Sequence, residues 1–428
     1  MLYERWCAIA ASRRDEVALR DPPGGRVWTF GELHSAAERL ALPTTGLICP
    51  EGNHPEFVLT LLAAWRAGRV TCPLEAGQAA PDVPVPPTPI VHLKTTSATT
   101  GAARCVALTA EQLAADADNI VATMGLRANW PNLGVISLAH SYGFSNLVLP
   151  LVLHGIPLIL AGPPLPEIVR RAAEAERAIT LAAVPALWRA WHEARAIPAN
   201  VRLAISAGAP LPLALEDAVW QTGSLKIHNF YGSSECGGIA YDATSDVRTD
   251  AAIAGRAMKN VELSIAANGC LTVRSAAVAQ GYWPTDQAAL SHGTFYTSDL
   301  AELEDGDVRL CGRLSDQINI AGRKLNPATI EAALAQHPAI AECLAFGVPD
   351  ATDARGEIIV ACYRATGRVT AETLRSFLLE QLPAWQVPRE WCAVDSLSSN
   401  QRGKLSRAEW RKWFLSRSTT ARQSPSVR

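Results

Sequence analysis

The sequence predicts an α/β protein: a large N-terminal domain of parallel-rich sheets layered with helices, carrying a small β-barrel-like part, followed by a small α+β C-terminal domain. Three observations predict it. Short apolar runs alternate with helical stretches through the first half, the pattern of parallel strands covered on both faces. Over 261–310 the pattern shifts to short strands broken by turns such as Ala267-Asn268-Gly269 and Glu304-Asp305-Gly306-Asp307. After Gly312-Arg313 comes a segment of about one hundred residues with its own strand and helix signals, enough for a small domain. The expected division is therefore 1–312, 313–415 and a Ser/Thr/Arg-rich, disordered tail over 416–428.

Taken in order, the apolar run Gly46-Leu47-Ile48-Cys49 predicts a strand, 55–68 a helix and Arg69-Val70-Thr71-Cys72 a second strand. The stiff, donor-poor Pro-rich stretch 81–89 predicts a linker. The cycle then repeats: helix over 166–178, strand over 180–183, helix over 186–196 and strand over 201–205.

The totals narrow the function classes. The chain has 428 residues with 39 basic and 41 acidic side chains, a net charge of −2, and lacks the basic stripe that a nucleic-acid binder needs. Its 48% hydrophobic and 19% charged residues describe a folded chain. Ten cysteines without C-x-x-C or zinc-ligand spacing predict reduced, buried thiols. The start Met1-Leu2-Tyr3-Glu4-Arg5-Trp6 has no apolar signal region, and the apolar stretch 146–165 is broken by Pro150, His154, Gly155 and Pro157, so no membrane span and a cytoplasmic location are expected.

Four segments carry chemistry. Directly after the apolar strand Pro89-Ile90-Val91-His92-Leu93 comes Thr95-Thr96-Ser97-Ala98-Thr99-Thr100-Gly101-Ala102-Ala103-Arg104. Its hydroxyls, glycine and cation suit a polyphosphate, though a Ser/Thr cluster alone also reads as a polar surface turn. The second segment, Asn229-Phe230-Tyr231-Gly232-Ser233-Ser234-Glu235, pairs an aromatic face for a purine with one carboxylate suited to magnesium. A serine nucleophile elbow fails there because Cys236 holds the last G-x-S-x-G position; a capped helix start stays open. The third pairs Thr297-Ser298-Asp299-Leu300 with Gly312-Arg313-Leu314-Ser315-Asp316, a carboxylate and a guanidinium suited to a ribose. The fourth, Asn400-Gln401-Arg402-Gly403-Lys404-Leu405-Ser406-Arg407, reads in isolation as a solvated basic turn.

In order and spacing these four together resemble the adenylate-forming superfamily, the acyl- and aryl-CoA synthetases, nonribosomal-peptide adenylation domains and luciferases. Its motifs T-S-G-T-T-G-x-P-K-G, Y-G-x-T-E, T-G-D-L, G-R-x-x-D and G-K-x-x-R match from about Val91 to Arg407. Ser206-Ala207-Gly208-Ala209-Pro210-Leu211, Gly281-Tyr282-Trp283 and 320–327 add minor signatures. The resemblance implies ATP and Mg2+ as cofactors, and CoA or a carrier protein's phosphopantetheine as co-substrate. It implies that Thr96, Ser97, Thr99, Thr100, Gly101 and Arg104 hold the ATP phosphates, that Glu235 binds magnesium, and that Ser234 belongs to the same nucleotide site. By the same resemblance Gly208, Ala209, Pro210, Asn229, Phe230, Tyr231 and Gly232 enclose the adenine, and Asp299 and Arg313 hold the ribose. Lys404 is then the catalytic lysine of a mobile C-terminal domain, Ser315 the pivot and Gly322 a residue facing the thiol channel. The chain departs from the pattern at Ala98, at Ala103-Arg104-Cys105 in place of Pro-Lys-Gly, and at Ser315 in place of Asp or Lys. It is also short before the phosphate loop, which implies a trimmed first subdomain.

Amino-acid-activating members of the family carry an aspartate where this chain has His140-Ser141-Tyr142-Gly143-Phe144-Ser145-Asn146, so nothing in this stretch pairs a substrate ammonium. The stretch resembles that of benzoate-type ligases. His140, Tyr142, Phe144 and Ser233 are accordingly candidates to meet a small-molecule aryl acid, with ordinary core aromatics as the rival reading and a medium-chain fatty acid as the second substrate class. The competing class is a nucleotide- or acyl-AMP-binding protein with weakened catalysis.

Overall fold

In a computed structural model, residues 1–95, 105–285, 289–320, 322–350, 356–397 and 406–422 are described, without side chains beyond 417. The chain forms two compact units, Met1–Thr297 with Leu303–Arg309, and Ser298–Glu302 with Leu310–Arg428.

The α/β expectation holds. The centre of the large sheet is six parallel strands in the order Ile227–Ser233, Val201–Ser206, Ile179–Ala183, Asn132–Gly134, Leu158–Leu160 and Val17–Asp21. Their near-continuous apolar runs follow from burial on both faces, and Trp188 and Trp191 of helix Pro185–Glu193 are fully buried against them. Beyond Ile227–Ser233 the sheet turns antiparallel through Gly237–Tyr241 and Ile253–Ala257 and continues to Val261–Ile265. The strands expected to make a barrel-like part therefore extend the edge of the large sheet; closure into a barrel is absent from the described pairings.

A second, three-stranded sheet joins Ile90–Thr95, Cys105–Thr109 and Gly281–Trp283. Thr95 and Cys105 are register neighbours, so the residues bounding 96–104 lie side by side. The expected strands over 46–49 and 69–72 shrink to isolated bridges, among them Ile48 with Thr71. Pro50 and Pro73 follow them and lack the amide a ladder requires. Helix Ala110–Met124 starts on a capping box in which Thr109 Oγ1 accepts from the Gln112 amide at 3.3 Å and Gln112 Oε1 from the Thr109 amide at 2.9 Å.

The second unit carries the sheet Ile340–Pro349, Glu357–Ala365 and Glu390–Ala393 with helices Pro327–Leu334 and Ala371–Leu379 on its core. Helix Arg407–Arg422 extends into the tail expected to be disordered. No helix among the described residues is long and apolar enough to cross a membrane. The ten cysteines are free thiols, five of them buried.

Candidate active site

Open parallel sheets present loops and binding groups at the carboxyl ends of their strands. Three predicted segments fall there. Ser206 ends one strand and leads into Gly208, Ala209 and Pro210; Gly208 has φ +85°, a left-handed turn suited to glycine. Ser206 is the register neighbour of Asn229 on the adjacent strand, which runs on through Phe230, Tyr231 and Gly232 to Ser233. The third segment, 138–146, follows strand Asn132–Gly134.

Side chains link these segments. The Tyr142 hydroxyl donates to the Ile205 carbonyl at 3.3 Å, and the Tyr142 and Phe230 rings stand 5.9 Å apart, tilted by 45°. Burial pushes the Tyr142 phenol well up, so it stays a neutral donor. Asn229 Nδ2 donates to the Ile253 carbonyl at 3.2 Å. Phe144 is fully buried and stacks on His92 at 4.4 Å, so it meets the core ring directly. His140 Nε2 lies 2.7 Å from Glu75 Oε1, a carboxylate that motif reasoning missed because it sits 65 positions earlier in the chain.

Glu235 lies half-buried in the turn between strands Ile227–Ser233 and Gly237–Tyr241. Its amide donates to Ser233 Oγ at 3.2 Å, and its Oε1 accepts from the Tyr282 hydroxyl at 3.0 Å. Ser234 is half-buried beside it. Among the described residues no three His, Cys, Asp or Glu side chains gather as a metal cage. One oriented carboxylate suits Mg2+, which keeps waters and takes most of its ligands from phosphates.

In the second unit Arg313 Nε donates to Asp299 Oδ1 at 2.9 Å. Ser315 Oγ lies 3.4 Å from Asp316 Oδ1, and the Gly322 amide donates to Asn319 Oδ1 at 3.0 Å in a turn where Gly322 has φ +83°. Arg407 donates to Asp316 Oδ2 at 2.7 Å, to Glu331 Oε2 at 2.6 Å and to the Ala345 carbonyl at 3.1 Å. Thr96, Ser97, Thr99, Thr100, Gly101, Arg104 and Lys404 lie outside the described residues.

Sequence reasoning missed two buried charges near these segments. Lys94 is 3% exposed, and burial pulls its ammonium below the ordinary range against the pull of Asp116, Cys236 and Glu235. Asp116 is 1% exposed on the face of helix Ala110–Met124 that also buries Leu113, Ala117, Ile120 and Met124. A charged residue at a core-facing helical position was the available signal for Asp116.

Known proteins bear on this geometry. The AMP-binding enzyme family model matches residues 75–283, and the AMP-binding enzyme C-terminal domain model matches 329–404. A probable 2-succinylbenzoate–CoA ligase of Mycobacterium tuberculosis is 30% identical over 330 residues, 73% of this chain and 82% of the relative. A feruloyl-CoA synthase of Amycolatopsis is 24% identical over 91% of this chain and 95% of its own length. The solved structure of the o-succinylbenzoate CoA synthetase of Bacillus subtilis with its acyl-adenylate intermediate has a TM-score of 0.80 at 20% identity, covering 95% of this chain and 97% of that one. With both family models matched in chain order and the Mycobacterium tuberculosis relative aligned over 82% of its length at 30% identity, the chain belongs to the AMP-binding enzymes of the adenylate-forming superfamily.

Proposed function

We propose that this chain activates a carboxylic acid, an aryl acid first, as its acyl-adenylate and passes the acyl group to the phosphopantetheine thiol of CoA or of an acyl carrier protein. The observation that carries the reading is the convergence of Gly208, Asn229 and Tyr142, from segments that follow or end strands of one parallel sheet, with Glu235 on the turn that follows Ile227–Ser233.

In the first half-reaction a carboxylate oxygen attacks the α-phosphorus in line and the bond to pyrophosphate breaks. Both reactants are anions, so the barrier is largely electrostatic. On this reading Lys404 places positive charge between carboxylate and α-phosphate. Arg104, with Thr96, Ser97, Thr99, Thr100 and Gly101, holds the phosphates, and Asp299 and Arg313 hold the ribose. Mg2+ bound at Glu235 would neutralise charge on the departing pyrophosphate. In the second half-reaction the thiol sulfur attacks the acyl carbonyl, its proton is lost and AMP leaves. Ser315 serves as pivot and Gly322 faces the thiol, in a small C-terminal domain taken to begin at 313. ATP and CoA as substrates make the cytoplasm the expected compartment.

The aryl preference rests on the tilted Tyr142 and Phe230 rings and on relatives named for 2-succinylbenzoate and ferulate. His140 engages Glu75, which leaves that carboxylate occupied and still disfavours an amino-acid ammonium. A medium-chain fatty acid is the second substrate class. A second reading, a nucleotide- or acyl-AMP-binding protein with weakened catalysis, is favoured by the Ala98 and Ala103-Arg104-Cys105 departures; tight ATP binding without pyrophosphate release would support it.

The test is acid-dependent ATP–pyrophosphate exchange across benzoates, cinnamates, succinylbenzoate and C6–C12 fatty acids. Exchange with an aryl acid is expected, and silence across the panel ends the ligase reading. Lys404→Ala is expected to cut adenylation by at least about 10²-fold while sparing thiolysis of supplied acyl-AMP. CoA and a pantetheinylated carrier, added separately, identify the acceptor.

A further inference from the structure

Beneath the segments just described, a buried lysine and a buried aspartate meet through a serine. Lys94 Nζ donates to Ser145 Oγ at 3.5 Å, Ser145 Oγ donates to Asp116 Oδ2 at 2.6 Å, and Asp116 Oδ1 accepts from the Gly238 amide at 3.1 Å. Lys94, Asp116 and Ser145 are each no more than 3% exposed. Asp116 also packs against the backbone of the Glu235 turn. A Cβ on Gly237, where φ is +68°, would stand 2.0 Å from Asp116 Oδ1.

The partners come from different segments. Lys94 precedes Thr95 at the end of the strand leading into 96–104, Ser145 belongs to the stretch 142–146, and Gly238 follows Glu235 by three residues. Helix Ala110–Met124, which supplies Asp116, contains none of the motifs. The groups facing the Lys94 ammonium are Asp116, Ser145, Glu235 and Cys236, with His92 on the same strand. A buried charge deprived of its partner is costly, whereas removing both members of a pair is tolerated, so these groups act as one unit.

We propose that Asp116 is a positioning residue of the adenylation site, holding the strand that enters 96–104, the helix of the acyl segment and the Glu235 turn in one arrangement. Its activity arm rests on the ligase reading above; its structural arm does not. Asp116→Asn keeps the shape and removes the charge. For the acid-dependent exchange reaction we expect kcat to fall by about 10²-fold while the KM for ATP moves less than about threefold, because misplacement of reacting groups costs rate. Lys94→Met is expected to behave alike, and the double variant to regain at least about tenfold over either single, since no orphaned charge remains. Single effects that simply add, or a loss confined to KM, overturn the proposal. If Asp116→Asn does not fold, Ser145→Ala is read by the same kcat-against-KM split, with a kcat loss of roughly fivefold.

Amide hydrogen exchange decides the structural arm without any substrate. In Asp116→Asn, or Ser145→Ala in its place, peptides over 90–95, 141–148 and 237–241 should lose protection together, while a core truncation elsewhere, Val219→Ala, leaves them unchanged. Loss confined to 110–124 sinks the proposal whatever the activity. Should the unaltered chain exchange no acid at all, the ligase reading fails and hydrogen exchange alone judges Asp116.

Discussion

Replacing Glu216 with alanine measures how much of the large unit depends on one buried ionic cluster. Glu216 is fully buried on helix Leu213–Gly223 and forms an ion pair with Lys226. Its two oxygens accept from the Arg248 amide at 3.1 Å and from Arg248 Nε at 2.9 Å. Lys226 Nζ also lies 2.8 Å from Asp242 Oδ2, and Arg248 donates to the Leu211 and Ile253 carbonyls at 2.7 and 2.8 Å. Two acids face two bases, so the substitution leaves one excess positive charge. Breaking a buried pair costs about 3–5 kcal/mol. Here the cations keep Asp242 and two carbonyls, which sets the expected loss near the lower end, about 3 kcal/mol. At roughly 2 °C per kcal/mol for a unit of this size, the first thermal transition should fall by about 6 °C. Scanning calorimetry at fixed pH and salt reads it, with Glu167→Ala as control. Glu167 pairs with Arg170 and Arg171 at 52% exposure, where solvent screens the charges and the pairs add little to stability. Because Leu211 follows Pro210, and Ile253 accepts from both Arg248 and Asn229, the same variant should raise the KM for ATP severalfold. A Glu216→Ala shift under 2 °C, or one equal to that of Glu167→Ala, refutes the electrostatic account.

Other consequences are equally specific. Gly237→Ala should cost at least about 2 kcal/mol by denaturant midpoint, since φ is +68° and the new Cβ meets the Asp116 carboxylate. Burial, with the nearby Lys94 charge, holds the fully buried His92 imidazole well below its ordinary range. Its folded value lies below its unfolded one, so its contribution is complete above about pH 6.5 and declines as the pH falls, by about 1.4 kcal/mol per unit. His92→Gln should flatten the slope of stability between about pH 6.5 and 5.5 by one proton, and an unchanged slope would contradict this. Arg407→Met removes the anchor on Asp316, Glu331 and the Ala345 carbonyl three residues after Lys404, so adenylation should drop by about 10²-fold in exchange assays. Glu235→Gln should preserve the thermal midpoint within about 2 °C yet raise the magnesium concentration needed for half-maximal exchange about tenfold or more.

The alternation of strands and helices was legible because parallel strands buried on both faces have to be apolar throughout, and Val201–Ser206 and Ile179–Ala183 lie where that pattern puts them. The apolar runs 46–49 and 69–72 predict strands, but Pro50 and Pro73 just beyond them leave bridges in place of ladders. The turn signals over 261–310 specify strands but not their partners, and in the described pairings these strands extend the edge of the large sheet. The Ser, Thr and Arg content of the tail predicts disorder, yet helix Arg407–Arg422 continues into it behind Trp410, Trp413 and Phe414, which pack in the second unit.

The sequence by itself singled out the motif stretches, from Asn229 to Glu235 and from Asp299 to Arg313, because each motif is a short run of chain whose order and spacing resemble the family pattern. The tertiary fold decided the rest. Ser145 meets Asp116 across 29 positions and Gly238 meets it across 122, and His140 finds Glu75 on a separate segment. Periodicity places Asp116 on the buried face of its helix but supplies no partner for it; only folding, by bringing its counter-charge and donors from distant segments, makes the cost of burying it bearable.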